Sequence, residues 1–477
     1  MDSVAFPAAP GWAPPGSEPR VSDLITLLGT VRLGNVSGDL IDQIRGLEEL
    51  KSSITALQAR AAVALDLAQR QDQAEAGIPV AERGQGVGPQ VALARRESPN
   101  KGSRLLGVAK ALVMEMPHTM AALESGQLNE WRATLVVRET ACLSVEDRCA
   151  VDEELAADTG TLEGMGDRAI IAAAKAAACR RDPRSMAQRA SHAASTRTVS
   201  LRPVADAMTY LTALLPAAQG VAAYAALTRA ADTARSRPSR EERGRSQIMA
   251  DTLVERLTGK PGGINGIEVQ LVMTDRTLFQ GDSEPARLHG YGIVPAQWAR
   301  ELTNPTASAT RAQPGTPAPD PEYSVWLRRL YTAPTSGELI TTDSKARLFP
   351  PRLRRFIETR DHTCRTPYCD APIRHTDHVV PWHAGGTTSL DNGAGLCEAC
   401  NHTKEIPGWT ATTTPGNPAR GTADALNLQT PTGHTYQSKA PPLPGYERGA
   451  GLNYMEHSVP ASPQETPSLV PATSRND

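Results

Sequence analysis

The chain has 477 residues, of which 40% are hydrophobic and only 4% aromatic, and its formal net charge is −2. This length gives room for two or three domains, and a composition rich in alanine but poor in aromatic residues favours helices packed through small side chains. The balance of charge excludes a basic field over the whole protein, so any attraction to nucleic acid must be local.

The start of the chain is rich in proline and has neither a basic first segment nor an apolar core. It therefore predicts a disordered lead over residues 1–20 and not a signal peptide. We accordingly expect the protein to be cytoplasmic.

Residues 21–259 are predicted to form a mainly α-helical domain. Its first long helix carries an apolar stripe at intervals of three and four residues, formed by Leu40, Ile44, Leu47, Leu50, Ile54, Leu57, Ala61, Leu65 and Ala68. This spacing is typical of one face of an amphipathic helix. A stripe of this length also fits a coiled coil, so formation of a homodimer through the N-terminal helices stays open.

Residues 207–228 contain no charged side chain, and a run of this length is long enough to cross a bilayer. Pro216, Gln219 and Gly220 interrupt the run, and its many alanines gain little from lipid. We therefore predict two core helices that meet at Pro216, and no membrane contact.

A mixed region of strands and helices is predicted over residues 260–349. Residues 266–275 alternate β-branched and polar side chains and predict a strand. A linker rich in Pro, Thr and Ala follows at 304–321, and residues 326–349 have the pattern of two strands and a turn.

A helix is predicted from Arg352 to Arg360, and the sequence around it is basic. Between residues 345 and 365 only Glu358 and Asp361 oppose the basic side chains, which are Lys345, Arg347, Arg352, Arg354, Arg355, Arg360 and Arg365. This local excess indicates a surface that grips a nucleic-acid backbone. An exposed helix with ordinary solubilising charge is the alternative.

Four of the seven cysteines follow this helix in two pairs. Cys364 and Cys369 are separated by four residues, and Cys397 and Cys400 by two. Two such knuckles, brought together, supply four thiolates in the tetrahedral geometry of a structural zinc site. Two disulfides are the alternative, which a chain without a secretory signal makes less favourable.

A second group of polar residues lies between and after the knuckles. Asp377 and His378 are adjacent, and a carboxylate with an imidazole can hold a divalent ion and take a proton from water. Because neighbours on a regular strand point to opposite faces, we expect this pair at a strand end or a kink, with which Pro381 is compatible.

The segment Arg360–Trp409 resembles the HNH endonuclease motif. The resemblance is carried by C-x4-C, D-H-x-x-P, G-G, N and L-C-x-x-C-N-x-x-K. The resemblance implies a small α+β (ββα-metal) nuclease module, which we bound at residues 350–410, and hydrolysis of DNA phosphodiester bonds with one Mg2+ or Mn2+. It implies that His378 is the general base, that Asp377 and Asn401 are metal ligands, and that Asn392 braces the hairpin. We expect nucleic-acid contacts from Arg352, Arg355, Arg374 and Lys404.

The third letter of the motif is asparagine in this chain. An amide oxygen is a weaker metal ligand than an imidazole, so the neighbouring His402 is an alternative to Asn401. Asparagine also suits turns and helix caps, which is the structural alternative for both Asn392 and Asn401.

The long helical region, with its segments GPQVALARRESPNKG, MPHTMAAL and LPAAQGVAAYAAL, resembles the actinobacterial HNH proteins of the 13E12 repeat family. This resemblance implies little about mechanism. After the module, residues 411–477 are predicted to be mostly disordered, apart from a short element at TPTGHTYQS, residues 430–438. Two functional alternatives stay open: a zinc-stabilised nucleic-acid-binding module without turnover, and a helical interaction scaffold with a vestigial nuclease motif.

Overall fold

The computed structural model describes residues 20–158, 160–236, 243–259, 270–303, 348–414, 424–441 and 443–444. The chain divides into two compact units. The first contains residues 1–95 and 99–196, and the second contains residues 96–98 and 197–477. The boundary at 196 corrects the prediction that a single helical domain extends to residue 259, because residues 197–258 cluster with the second unit.

The first unit is built from nine helices in its described part, and the prediction of a mainly helical N-terminal region is confirmed. They are α1 (Val21–Leu28), α2 (Ser37–Glu75), α3 (Val87–Ala94), α4 (Pro99–Glu115), α5 (Pro117–Glu124), α6 (Glu130–Thr140), α7 (Val145–Ala156), α8 (Asp167–Arg181) and α9 (Pro183–Ala193). Proline stands in the first turn of α5 and α9, where its missing N–H costs nothing.

The core of the first unit lies between α2, α4, α5, α6, α7 and α8, and alanine supplies much of it. The long helix α2 turns its small side chains inward, with Ala56, Ala59 and Val63 buried. The predicted stripe of larger residues lies mainly outside: Leu47, Leu50, Ile54 and Leu57 are exposed. The predicted stripe therefore has the helical spacing but lies largely outside the core of this unit, which α2 enters with small side chains that allow the helices to approach closely.

The second unit begins with a β-hairpin. Strands β1 (Thr198–Val204) and β2 (Met208–Leu214) pair antiparallel, and the helices α10 (Ala217–Arg235) and α11 (Arg245–Thr258) follow and pack on each other. The prediction of two helices meeting at Pro216 is wrong for its first half, which is β2. Pro216 itself is the residue before α10. Among the described residues, no helix is both long and apolar enough to cross a membrane.

A small sheet follows, made of β3 (Leu271–Val272), β4 (Ala286–Leu288) and β5 (Gly292–Val294), with α12 (Asp275–Phe279) and α13 (Ala296–Thr303) beside it. The strand predicted at 266–275 is present only as β3 within the described residues, and a helix begins at Asp275. The predicted linker at 304–321 and the pair of strands at 326–349 lie outside the described residues, except for 348 and 349.

The remaining elements surround the two cysteine pairs. They are α14 (Pro351–Asp361), β6 (His375–His378), β7 (Gly393–Leu396), α15 (Glu398–Thr403), β8 (Thr410–Thr414), β9 (Ala425–Gln429) and β10 (Thr435–Lys439). Strands β6 and β7 form an antiparallel pair in which His378 is opposite Gly393. Helix α14 packs against both strands, and α15 packs against β6.

The last three strands form an antiparallel sheet in the order β10, β9, β8. The prediction of a mostly disordered tail from residue 411 is therefore wrong for β8 and β9, whereas β10 overlaps the short element predicted at 430–438. The central strand β9 carries the buried apolar side chains, which are Ala425, Leu426 and Leu428. Two polar strands that contain threonine flank it in the sheet.

Candidate active site

The four cysteines predicted to bind zinc are brought together. Their Sγ atoms all lie within 4.8 Å of one another, and all four side chains are buried. Cys364 and Cys369 lie in the turn after α14, whereas Cys397 precedes α15 and Cys400 lies in its first turn. Four thiol sulfurs at this spacing fit a closed tetrahedral site for a zinc ion.

The thiols influence one another strongly. The hydrogen bond with Cys369 lowers the pKa of the Cys364 thiol to about 7, and contact with Cys364 lowers the pKa of Cys397 below its usual range. Contact with Cys364 raises the pKa of both Cys369 and Cys400. Four thiols this close share their protons, and a bound divalent cation would favour the thiolate form of all of them.

The Asp377–His378 pair lies at the end of strand β6, as the sequence predicted. His378 is the last residue of the strand, and its Nδ1 atom lies 3.7 Å from Oδ1 of Asp377. The two side chains differ in exposure: 35% of the Asp377 side chain is exposed but only 7% of the His378 side chain. The carboxylate therefore faces solvent while the imidazole is set into the protein.

Three neighbours hold the His378 imidazole. Its Nε2 atom lies 2.8 Å from the hydroxyl of Thr388, and its ring lies 4.6 Å from that of Phe349 and 5.9 Å from that of Trp382, centre to centre. With Nε2 bonded to Thr388, Nδ1 is the nitrogen on the side of Asp377. If the hydroxyl accepts the Nε2 proton, Nδ1 is the basic atom that can take a proton.

Asp377 is paired with Lys404. The two side chains meet at 3.0 Å between Lys404 Nζ and Asp377 Oδ2, and Lys404 also contacts the carboxylate of Glu405. Partial burial raises the pKa of the Asp377 carboxyl, but the hydrogen bond and charge of Lys404 lower it by more, so its pKa lies below the ordinary aspartate value. The carboxylate is thus ionised and available to a cation at neutral pH.

Asn392 braces the segment between β6 and β7. Its Oδ1 accepts a hydrogen bond from the N–H of Val380, and its Nδ2 donates to the carbonyls of Val380 and Thr387. Gly386 lies against this brace, since a Cβ atom there would meet the Val380 oxygen at 1.8 Å. Glycine is thus the residue that lets the loop close on Asn392.

Asn401 and His402 have different surroundings. The Oδ1 atom of Asn401 is buried and has no hydrogen-bond partner, whereas His402 is exposed. Asn401 stands three residues before Lys404, which contacts Asp377 of β6, so the two positions are neighbours on the helix surface. A buried amide oxygen without a donor fits a cation ligand, which satisfies it as a donor would.

The predicted nucleic-acid contacts fall into two groups. Arg352, Arg355 and Arg374 are exposed, on α14 and just before β6, whereas Lys404 is turned inward to Asp377. The exposed His375 and His383 stand near either end of the β6 segment. Lys345 and Arg347, which contributed to the basic excess, lie outside the described residues.

Two other members of the basic excess are buried. Arg360 and Arg365 are each 5% exposed, and both donate to Asp361, which is 1% exposed. Arg360 also donates to the carbonyls of Leu390 and Gly393, and Asp361 accepts from the N–H of Gly395. These arginines link α14 to β7 and cannot reach a phosphate. The basic excess inferred from the sequence around α14 therefore included two arginines that are not available to a nucleic acid.

Sequence reasoning missed Trp382 and also the two nearer residues that hold the imidazole, Thr388 and Phe349. Neither belongs to a recognisable spacing, and Phe349 comes to His378 only because α14 packs on the β6–β7 pair. The two threonines directly after Gly385 and Gly386 could be recognised in the sequence as loop residues. The contact of Thr388 with the imidazole could not.

A family model described as HNH endonuclease matches residues 364–405. No curated protein matches the chain, and no solved structure matches it. The matched segment runs from the first zinc-site cysteine to Glu405, so it contains Asp377, His378 and Asn392. It indicates a metal-binding, nuclease-type module in this part of the chain.

Proposed function

We propose that the protein is a metal-dependent endonuclease that hydrolyses DNA phosphodiester bonds at the end of strand β6. The observation that carries this proposal is the ionised Asp377 beside the anchored His378 at the end of β6, the strand against which α15 packs with the partnerless Oδ1 of Asn401. A scaffold without turnover has no need of an ionised acid beside an anchored base.

Each of these side chains has a role that its geometry supports. His378 takes a proton from the attacking water at Nδ1, and Thr388 fixes the ring through Nε2. Asp377 and Asn401 would hold a Mg2+ or Mn2+ ion. When bound, such an ion supplies stabilisation for the charge on the phosphate and the leaving oxygen. Asn392 keeps the chain beyond His378 in place, so it positions the base without touching the substrate.

The zinc site is proposed to be structural. Its four sulfurs leave no position for a substrate, and they join the turn after α14 to the first turn of α15. A zinc ion there would fix the register of Asn401, which follows Cys400 directly. The catalytic ion and the structural ion are therefore assigned to different ligands.

We assign the DNA contacts to the exposed cations of the module, Arg352, Arg355 and Arg374. Guanidinium groups suit backbone phosphates because they donate two parallel hydrogen bonds. Lys404 can contact DNA only when it no longer pairs with Asp377.

A second candidate function is supported by one observation. The imidazole of His378 is only 7% exposed and Lys404 holds the acid beside it, as expected of a nucleic-acid-binding module that no longer cleaves. We favour cleavage because such a module would need neither the ionised acid nor the anchored base.

The helical unit is proposed to mediate assembly. On α2 the residues Leu47, Leu50, Ile54 and Leu57 are exposed at alternating intervals of three and four, the spacing of a coiled-coil seam. We propose that a second copy of α2 covers this seam in a homodimer. We also propose that the chain is related to the 13E12 repeat proteins, on the basis of the sequence segments of the helical region quoted above.

Plasmid nicking by the purified protein tests the proposed activity. We expect relaxed circles with Mg2+ or Mn2+ and none with EDTA, and no nicking by the Asp377→Asn variant. DNA binding without nicking under any of these ions would favour the binding module instead.

A further inference from the structure

The inference concerns the ammonium group of Lys404, which is in contact with a proposed metal ligand. Its side chain is only 7% exposed, and its Nζ lies 3.0 Å from Asp377 Oδ2. It also contacts the carboxylate of Glu405, whose side chain is 45% exposed. A buried ammonium needs such partners, because an unpaired charge in the interior is costly.

The backbone places this ammonium on the proposed ion site. Lys404 is the C-cap residue directly after α15, and its N–H donates to the carbonyl of Cys400 at 3.2 Å. Asn401 lies three residues earlier on α15, the helix that packs against β6. The ammonium and the Asp377 carboxylate are therefore in contact beside the helix that carries the proposed second ligand.

We propose that Lys404 is a built-in counter-ion of Asp377 that competes with the divalent ion, so that binding of the ion requires Lys404 to leave. The inference rests on the proposed function, since it assumes that Asp377 is the metal ligand. An ammonium and a divalent ion beside the same carboxylate repel each other at short range. The flexible lysine stem allows the exchange, and Glu405 remains as a partner for the displaced ammonium near the surface.

The exchange has two consequences for the site. Without a divalent ion, Lys404 neutralises Asp377 and keeps the region folded around a satisfied carboxylate. With one, part of the binding free energy is used to separate Lys404 from Asp377, so the measured affinity is lower than the ligands alone would give. Removal of the ammonium should therefore tighten binding of the ion.

Titration of the zinc-loaded full-length protein with Mn2+, with free Mn2+ followed by electron paramagnetic resonance, tests the exchange without any catalysis. We expect Lys404→Met, which keeps the apolar stem, to lower the Mn2+ dissociation constant about tenfold, within the usual range of coupling between two ligands. Arg354→Met is the matched control: it removes an exposed cation of α14 that has no assigned role in the site, and should change the constant by less than about twofold.

Glu405→Gln gives a second, independent measurement at an exposed position. Among the described residues it leaves Asp377 as the remaining charged partner of Lys404, so Mn2+ binding should weaken in the parent protein. In the Lys404→Met background the same change should have little effect, because its influence acts through Lys404. Equal effects of Glu405→Gln in both backgrounds would overturn the exchange.

Asp377→Asn separates failure of this inference from failure of the proposed function. If Asp377→Asn abolishes Mn2+ binding and Lys404→Met leaves it unchanged, the ion site stands and the exchange is wrong. If Asp377→Asn leaves Mn2+ binding unchanged, Asp377 is not a ligand, and both the ion site and the exchange are wrong.

Discussion

The side-chain amide of Asn392 pairs with both backbone polar groups of Val380. The N–H of Val380 donates to Oδ1 at 2.8 Å, and Nδ2 donates to the carbonyl of Val380 at 3.0 Å. Val380 lies two residues after His378, so this pairing fixes the path of the chain directly beyond the proposed base. Asn392 is itself opposite this segment because it precedes β7, which pairs with β6.

We expect Asn392→Asp to destabilise the module although it preserves size and shape. A carboxylate can still accept from Val380 N–H, but it cannot donate to the carbonyls of Val380 and Thr387. The loss of two buried donors should lower the free energy of unfolding by about 2–4 kcal/mol and slow nicking by at least about tenfold. Urea unfolding and nicking rates measure the two effects. Thr387→Val changes an exposed side chain beside the same carbonyl and should shift stability by less than about 0.5 kcal/mol.

We expect the purified protein to contain about one zinc ion per chain, as four thiolates close a tetrahedral site. Cys400→Ser should lose the ion and unfold the module, whereas Cys179→Ser, on the exposed side of α8, should keep both. The helical circular dichroism should largely persist in Cys400→Ser, because the core of the first unit contains no residue of the module. Elemental analysis showing full zinc content in Cys400→Ser would contradict this assignment.

The network of Asp361 with Arg360 and Arg365 predicts a defined response to acid. Burial raises the pKa of the Asp361 carboxyl, but the two arginines lower it by more, so its pKa in the folded protein is below the ordinary value. Folding is therefore favoured by the ionised form at neutral pH, and this stabilisation declines as the pH falls below about 4, the unfolded value. Urea unfolding between pH 7 and pH 3 should show this decline in the parent protein.

Asp361→Asn should remove the acid-dependent component and destabilise the module by about 3–5 kcal/mol at pH 7, because it leaves two buried guanidinium groups without their carboxylate. Asp370→Asn, at an exposed position in the first cysteine turn, is the control and should have little effect. An Asp361→Asn variant as stable as the parent would show that the arginines find other partners.

The sequence predicted the site better than the fold around it, for a physical reason. The spacing of Cys364, Cys369, Cys397 and Cys400 constrains the chain locally, so a metal site could be inferred without knowledge of the packing. The role of Arg360 could not, because the charge of an arginine is apparent in a sequence but its burial against Asp361 depends on how α14 meets β7.

The missed strands have a related cause. Strand β2 is uncharged and lies in an uncharged run that could also form a core helix, and its pairing with β1 makes it extended. Strand β8 is almost entirely threonine, so its sequence resembles a polar tail until it adds to the edge of β9. Long-range pairing overrode local composition in both cases.

His378→Ala should reduce nicking by about 10² or more while leaving zinc content and DNA affinity unchanged, since a positioned base contributes to the transition state and little to ground-state binding. Single-turnover cleavage and fluorescence anisotropy with a labelled duplex measure these quantities. His383→Ala, an exposed histidine in the same loop, serves as the control. A variant that cuts as fast as the parent would remove His378 from the mechanism.

The choice between Asn401 and His402 as the second ligand is the most specific prediction. Asn401 has a buried Oδ1 without a partner, and it follows the zinc-site Cys400 directly. His402 is exposed, and a step of one residue along a helix turns the side chain by about 100°, away from the direction of the Asn401 side chain. We therefore expect Asn401→Ala to raise the Mg2+ concentration for half-maximal nicking on the order of tenfold, equivalent to about 1.4 kcal/mol of ligand binding.

Asn401→His should lower that concentration or widen the range of active metals, because imidazole is the stronger ligand. His402→Ala should leave the Mg2+ dependence unchanged, and the reverse pattern in the two alanine variants would transfer the ligand role to His402.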